Sequence, residues 1–431
     1  MTRKEKGIEI ATKLNLSQQK NKTWLVPSQS GRGKYVVNVD AKPQNCTCPD
    51  FEINRAKCKH IFAVEFTLQK QQGPNQAVNA QTLKAEKLSQ SKKAKPTYSQ
   101  KWTEYNQAQT NQKPLFQEFL HQLCQSIEVP QRPRGRGRPS LSTGEAIFCG
   151  AVKVYSLFSS RLCAPELKDA QAKGYISRAP HFNTVIDYLG MKEMTPFIQQ
   201  LIIASSLPLA GLESVFAPDS SGFSTSKYVS WFNTRYGHEQ DNHDWIKLHI
   251  MCGVTTNIIT SAKVTGRHDH DSPVFPHLLK TTARNFNIKE VVADKGYSSK
   301  GNLELVVRKG ATPYIPFKTS ATGALGGVWE KLYHYFHMHR DEFLLHYHQR
   351  SNVESVFSMI KRRFLPNLRS RTETAQINEL LLKVLCHNIC VVIASMFEFG
   401  LKPTLKFDAS QVSIDEPEDD LEEYPLLRAL G

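Results

Sequence analysis

Cys46, Cys48, Cys58 and His60 constrain this chain more than any other feature in it. Three thiolates and one imidazole make a full tetrahedral set for a structural zinc ion, with no ligand position left open for catalysis. A module of roughly fifty residues cannot bury enough apolar surface to fold alone, so metal ligation has to contribute folding free energy there. The flanking pattern agrees with a small module. Residues 7–16 have the spacing of a short helix. Residues 23–26 and 34–39 alternate apolar and polar about a Ser- and Gly-rich turn, which predicts a hairpin. Residues 61–68 predict the helix that Cys58 and His60 open. The alternative is a chance clustering of Cys and His.

The tight Cys46-x-Cys48 spacing, followed by Cys58-x-His60 at a helix start, resembles a SWIM zinc finger over about residues 23–68. The resemblance implies one structural Zn²⁺ on Cys46, Cys48, Cys58 and His60, and it leaves open whether the module binds DNA or protein. The other six cysteines lie in apolar surroundings and read as core residues. Nine cysteines without a secretory signal fit a reducing compartment rather than a disulfide framework.

A chain of 431 residues requires more than one domain, and a net charge of +15 points to a polyanionic partner, nucleic acid first. The expected class is multidomain α+β. It comprises a zinc-stabilised β-hairpin/helix module (1–68), a flexible polar linker (69–113), a helical DNA-binding region (114–210), an RNase H-like α/β domain with a mixed sheet (211–400) and an acidic tail (401–431). The apolar helix expected over 377–397 is interrupted by Lys383, His387 and Asn388, which argues against a membrane span.

In the middle region, residues 114–127 have helical spacing. Arg136-Gly137-Arg138-Pro139 then resembles the core of an AT-hook, whose guanidiniums enter a narrow minor groove. A basic loop that touches phosphates through Arg136 and Arg138 without reading sequence explains the same residues equally well. Ser142 and Glu145 have the form of a capping box opening a helix. Helices over 165–172 and 181–189 about a glycine-bearing turn outline a helix-turn-helix, or two core-packing helices of a bundle. Another helix follows over 195–206.

The third region alternates strands with helices. Residues 214–223 read as a strand that ends in a polar turn at Asp219, with Pro218 making an edge or bulge expected just before the acid. Strands over 246–253 and 258–265 form a hairpin. His270 and Asp271 follow on a loop, then a helix over 274–286, and a buried strand that ends at Asp294. A helix over 300–309 and a strand over 313–317 come next, and residues 323–327 suggest only a flexible loop. Val353, Phe357, Ile360 and Phe364 recur at helical spacing, and Arg350, Glu354 and Lys361 form a second stripe on that helix. Read alone, Arg350 and Glu354 are equally well an ion pair on a solvated face, and Asp219 and Asp294 equally well turn-capping aspartates.

The spacing Tyr347-x2-Arg350-x3-Glu354-x6-Lys361 resembles the last acid motif of DDE transposases from bacterial insertion sequences. Asp219-Ser220-x-Gly222-Phe223, His270-Asp271-Ser272 and Ala293-Asp294-Lys295-Gly296-Tyr297 resemble that family's first acid motif, the loop after its third strand and its second acid motif. Together they cover about residues 214–364. The interval from Asp294 to Glu354 is too short for the large β-rich insertion that some relatives carry. The resemblance implies that Asp219, Asp294 and Glu354 hold two Mg²⁺ ions, with Mn²⁺ able to substitute, and that the chain nicks element ends and joins them to target DNA. It also implies double-stranded DNA as partner, a homodimer in the DNA complex, and a prokaryotic cytoplasm with the nucleoid as workplace. Two ions about 3.5–4 Å apart activate the attacking hydroxyl and stabilise the leaving oxygen, and Mg²⁺ takes hard carboxylate oxygens. Arg350 and Lys361 are expected on phosphates, and Tyr347 in packing or on a phosphate. His270 orients a ligand, contacts DNA, or is plain loop. Asp241, Asp244 and Asp269 fall outside every motif. No hydrolase elbow and no P-loop is present. The rivals are a catalytically silent DNA-binding descendant and a nuclease that cuts without joining.

Overall fold

The computed structural model describes residues 3–14, 16–19, 23–28, 33–40, 44–54, 56–71, 101–127, 140–225, 245–408 and 412. It falls into two compact units, Met1–Ser99 and Gln100–Gly431.

In the first unit, α1 (Arg3–Lys13) packs on α3 (Lys59–Gln71). Between them in sequence lie strands β1 (Ser17–Gln18), β2 (Trp24–Pro27), β3 (Lys34–Asn38) and β4 (Asn45–Cys46), and the short helix α2 (Pro49–Asn54). The strands form an antiparallel sheet in the order β1-β2-β3-β4. The predicted hairpin is β2 and β3. Trp24 and Val26 alternate inward along β2, and they share a core with Ile10, Val37, Ile61, Val64 and the sulfurs of Cys46, Cys48 and Cys58. The sequence did not signal β1 or β4, which are two residues each. Pairing of Cys46 with Val37 sets the first thiol against the sheet.

In the second unit, α4 (Trp102–Thr110) and α5 (Gln112–Gln125) occupy residues that the polar composition assigned in part to a linker ending at 113. That reading is corrected for 102–113. The helix α4 has few large buried residues, and it forms because it docks on a long apolar helix; tertiary contact outweighs local composition. Next come α6 (Thr143–Ser156), α7 (Ala164–Ala172), α8 (Phe182–Leu189) and α9 (Met194–Ser206). The expected capping box opens α6: Glu145 N–H donates to Ser142 Oγ at 3.2 Å, and Ser142 N–H to Glu145 Oε2 at 3.0 Å.

The sheet of this unit comprises β5 (Val215–Ser224), β6 (Trp245–Gly253), β7 (Ile259–Gly266), β8 (Glu290–Val292) and β9 (Thr312–Tyr314), in the order β7-β6-β5-β8-β9. β5, β6 and β7 pair antiparallel, whereas β8 and β9 run parallel to β5. The sheet is therefore mixed, with β5 at its centre, consistent with an RNase H-like arrangement. Helices α10 (Phe275–Ala283) and α11 (Lys300–Arg308) connect the strands. Then α12 (Gly327–Met338), α13 (Arg340–Tyr347) and α14 (Ser351–Phe364) lead to α15 (Glu373–Phe399).

Two expectations are corrected here. First, β5 does not end at Asp219. Its pairing with β6 continues from Asp219 opposite Ile250 to Ser224 opposite Trp245. Pro218 is tolerated inside this central strand because pairing with β8 stops at Phe216. Gly222 keeps the strand regular, since a Cβ there would stand 2.8 Å from the Trp245 ring. Second, residues 323–327 are more than a loop: Gly323–Leu325 form a 3₁₀ turn and Gly327 opens α12, which together with α13 turns Trp329, Leu332, Phe336 and Phe343 into the core.

By length and composition α15 could cross a membrane, but most of it is buried inside this fold. Its Asn388 explains why. The side chain accepts Ile259 N–H at 3.0 Å and donates to Ile259 O at 2.7 Å, to Ser205 Oγ at 3.0 Å and to Ile202 O at 3.2 Å. One buried amide thus ties α15 to β7 and α9 with its donors and acceptor satisfied.

Candidate metal centre and carboxylate site

Cys46 ends β4, Cys48 precedes α2, and Cys58 and His60 stand at the start of α3. All four are buried, and their ligand atoms lie within 4.8 Å of one another, a set of this kind found nowhere else among the described residues. His60 Nδ1 is 3.9 Å from Cys46 Sγ and 4.0 Å from Cys58 Sγ. Those separations are near the edges of a tetrahedron built on Zn–S of about 2.3 Å and Zn–N of about 2.0 Å. The hydrogen bond from Cys46 holds the Cys58 thiol below its ordinary range, so the pair favours one thiolate. The Tyr35 ring packs on His60 with centroids 4.7 Å apart. The donor set, its burial and its spacing fit a structural Zn²⁺.

In the second unit the acids gather at one end of the sheet. Parallel pairing matches Val215 with Glu290 and Phe216 with Val291; Asp219 and Asp294 each lie three residues beyond the second pair. Neighbouring strands therefore deliver the two carboxylates at one level. Asp219 Oδ1 accepts Ser220 N–H at 2.8 Å, and Asp294 Oδ1 accepts Lys295 N–H at 2.8 Å. Asp294 also caps the short 3₁₀ turn Lys295–Tyr297.

Glu354 comes from the first turn of α14. Its helix is fixed at both ends. Asn352 Nδ2 donates to Val254 O at 3.0 Å, and Lys361 Nζ donates to Ser221 Oγ at 2.7 Å. Lys361 is two turns beyond Glu354, and Ser221 is on the same face of β5 as Asp219, so this bond orients the Glu354 face toward the first acid. Glu354 Oε1 meets Arg350 Nη1 at 2.7 Å, with the glutamate side chain 61% exposed and the arginine 20%. The ion pair read from sequence exists, and it sits on the rim of the acid cluster. Burial foremost pushes the Asp219 carboxyl above its ordinary range; the Ser220 N–H and Arg350 pull it down, and Asp271 and Glu354 push it further up.

Tyr347 ends α13, and its hydroxyl is raised by burial first, with Arg350, Asp294 and Glu354 all within electrostatic reach. Asp219, Asp294, Glu354, Arg350, Tyr347 and Lys361 thus share one end of the sheet. His270 is exposed on the turn after β7 and has no partner among the described residues. Arg136 and Arg138, Asp241 and Asp244, and the acidic part of the tail lie outside the described residues. Asp269 is a turn residue: its Oδ2 accepts Gly266 N–H at 2.9 Å.

Sequence reading left Lys247, His249 and Ser220 without a role. Ser220 Oγ donates to Asp271 Oδ1 at 2.8 Å, and Lys247 Nζ to the same oxygen at 3.1 Å. His249 is fully buried, its Nε2 2.8 Å from Thr265 Oγ1. A signal was available: Lys247 and His249 alternate with buried Leu248 and Ile250, two polar residues on one face of an otherwise apolar strand. Asp219, Asp294 and Glu354 offer carboxylate oxygens, the hard donor type that Mg²⁺ or Mn²⁺ takes.

Residues 210–389 match the transposase DDE domain family, and residues 35–69 match the SWIM zinc finger family. Neither a curated protein nor a solved structure matches the chain.

Proposed function

We propose that this chain, which carries a transposase DDE domain behind an N-terminal SWIM zinc finger, cuts DNA at the ends of a mobile element and joins the freed 3′ ends to target DNA. The observation that carries the reading is the level placement of Asp219 and Asp294, each three residues beyond the last parallel pair of β5 and β8, with Glu354 of α14 within electrostatic reach of Asp219. Asp219, Asp294 and Glu354 are the residues to hold two divalent cations, Mg²⁺ or Mn²⁺, which when bound activate the attacking hydroxyl and neutralise the leaving oxygen.

In nicking, a water oxygen bonds to phosphorus as the P–O3′ bond breaks, and the leaving 3′-oxygen takes a proton. In joining, that 3′-hydroxyl bonds to a target phosphorus as a second P–O3′ bond breaks. Arg350 stands close enough to Asp219 and Glu354 to bind a phosphate oxygen beside them. Tyr347 offers a hydroxyl to the same strand. Lys361 orients α14 through Ser221 and can exchange that hydroxyl for a phosphate. His270, exposed on the loop after β7, and Arg136 and Arg138 extend the contact to flanking DNA. The zinc finger folds on its own metal and adds a DNA or protein contact. Two ends must meet for joining, so the working form in the complex is a homodimer, acting on nucleoid DNA in a prokaryotic cytoplasm.

The test uses labelled DNA flanking the gene, purified chain and Mg²⁺, alongside Asp294→Asn. Nicking at a discrete end and joined products, both lost in the variant, support the reading. Cutting without joined products selects a nuclease. Binding without cutting in Mg²⁺ and in Mn²⁺ selects a silent DNA-binding descendant.

A further inference from the structure

The strand that carries Asp219 runs on to a second charged site. Asp219, Ser221 and Phe223 alternate onto one face of β5. Lys361 donates to Ser221 Oγ at 2.7 Å, and its Nζ stands 5.0 Å from the centre of the Phe223 ring. Lys383 Nζ of α15 stands 5.8 Å from the same ring. At the end of β5, Ser224 forms a parallel bridge with Asn367, so the segment after α14 extends the sheet. Ser224 lies five residues beyond Asp219, roughly 17 Å along the strand.

That segment borders a small polar hollow lined by Lys153, Phe158, Asn367, Arg369, Glu379 and Lys383. Three cations thus meet one carboxylate. The carboxylate is already taken: Glu379 accepts the Arg369 N–H at 3.0 Å from each oxygen, and the Ser370 N–H at 2.8 Å. Lys383 Nζ donates to Leu365 O at 3.0 Å and Asn367 O at 2.9 Å, and lies 3.8 Å from Glu379 Oε1. Arg369 Nη1 donates to Leu157 O and Phe158 O, at the C-terminal end of α6. Lys153, half-buried in the last turn of α6, has no hydrogen bond or salt bridge among the described residues. Burial foremost lowers its pKa; Glu379 opposes that shift and Arg369 adds to it.

The bland alternative is that Lys153 and Arg369 complement the C-terminal dipole of α6. It accounts for Arg369, whose guanidinium meets the last carbonyls. It gives Lys153 no contact for its donors and leaves it beside two other cations. An anion at this point would answer the excess charge. The hollow holds about 10 Å³, room for one oxygen rather than a whole phosphate. Phe158 and Arg369 at its rim are exposed, so a ligand can enter by one oxygen and stay at the surface.

We propose that this hollow binds a backbone phosphate of double-stranded DNA, with Lys153 as its donor and Arg369 and Lys383 adding positive charge behind it. The inference rests on the DNA-joining reading above. At about 3.4 Å of rise per base pair, the contact falls roughly five base pairs from the acids.

The test measures binding of the full chain to a labelled duplex of the DNA flanking the gene, by fluorescence anisotropy without divalent cation, over a range of salt. Lys153→Met, Lys153→Arg and Lys289→Met are compared with the unchanged chain. Lys289 is exposed, and its N–H donates to Ser214 O at the opposite end of β5. That variant makes the same change of charge away from the hollow.

We expect Lys153→Met to weaken binding on every duplex sequence and to make the slope of log K against log salt shallower by about 0.9, the loss of one phosphate contact. Lys153→Arg should keep the slope, and Lys289→Met should leave slope and affinity unchanged. Without DNA, Lys153→Met should unfold at a temperature no lower than the unchanged chain, because it removes an unpaired cation. A marked loss of stability would assign Lys153 to the packing of α6 and overturn the inference. So would an unchanged slope in Lys153→Met, or an equal fall in Lys289→Met. Inorganic phosphate that raises the unfolding temperature of the unchanged chain but not of Lys153→Met, with the DNA slope unchanged, marks a free-anion site and overturns the assignment to DNA. If the unchanged chain binds no duplex, the transposase reading falls too. If it binds and only the Lys153→Met expectation fails, that reading stands.

Discussion

Asp219 and Asp294 hold their carboxylates alike: in each, Oδ1 accepts the N–H of the next residue at 2.8 Å. The two residues lie in different local structures, one inside a paired strand and one capping a 3₁₀ turn. The shared hydrogen bond leaves Oδ2 of each without a partner among the described residues. Glu354 differs, since its carboxylate is exposed and paired to Arg350. Two acids are fixed by backbone and the third by a side-chain ion pair that a ligand can replace.

Asp219→Asn should stabilise the fold at neutral pH. The folded-state pKa of Asp219 is raised above 3.8, chiefly by burial. A raised carboxyl contributes stability below its unfolded pKa and loses that contribution as pH rises through the folded value. At pH 7 the native chain carries the full penalty, and the neutral amide does not. Thermal unfolding in metal-free buffer should show Asp219→Asn melting higher at pH 7, with the difference shrinking toward pH 3. Nicking should be lost in the same variant, the trade expected when a strained charge serves function.

Glu354→Gln should leave stability within about 0.5 kcal/mol, because an exposed ion pair contributes little. End binding, measured by mobility shift, should persist. Nicking should fall by more than about a hundredfold, beyond what loss of an outer-shell partner causes. Loss of binding together with nicking would assign Glu354 a structural role.

Stripping zinc with a strong chelator should unfold the first unit alone. Its core includes the sulfurs of Cys46, Cys48 and Cys58, while the second unit has a separate core. Hydrogen exchange should rise over α1 to α3 and stay unchanged over β5 to β9. Collapse of both units would refute their independence.

Lys383 gives a pH signature of opposite kind. It is 2% exposed in α15, and its Nζ donates to Leu365 O at 3.0 Å and Asn367 O at 2.9 Å. Burial depresses its pKa from 10.5 to about 8. A depressed base makes the folded state gain stability as pH rises from the folded to the unfolded value. Relative to Lys383→Met, the native chain should gain on the order of 3 kcal/mol between pH 8 and 10.5. Urea unfolding of both chains across that range checks the sign. At pH 7 Lys383→Met should also loosen the turn at Leu365, whose φ of 69° is unusual for a β-carbon-bearing residue.

Much of this was legible in the sequence because short-range rules suffice for it. The Cys/His set, the capping box at Ser142 and Glu145, and the helical spacing of Val353, Phe357, Ile360 and Phe364 need no knowledge of partners. What escaped depends on partners far away in sequence. Pro218 reads locally as a strand breaker, yet β8 withdraws just where its missing N–H matters. Helix α4 reads as polar linker until α15 is there to receive it. Lys361 reads as a free cation until Ser221, 140 positions away, takes its Nζ.

The continuity of β5 through Asp219 has a bearing on time as well as place. A carboxylate on a terminal loop can be displaced by local fraying, whereas one in the middle of a central strand is displaced only when the surrounding ladder opens. The amide protons around Asp219 should therefore exchange on the timescale of global unfolding, and those around Glu354 sooner. The first acid keeps its position for as long as the domain keeps its fold, and the slowest motion in the site is also the slowest in the molecule.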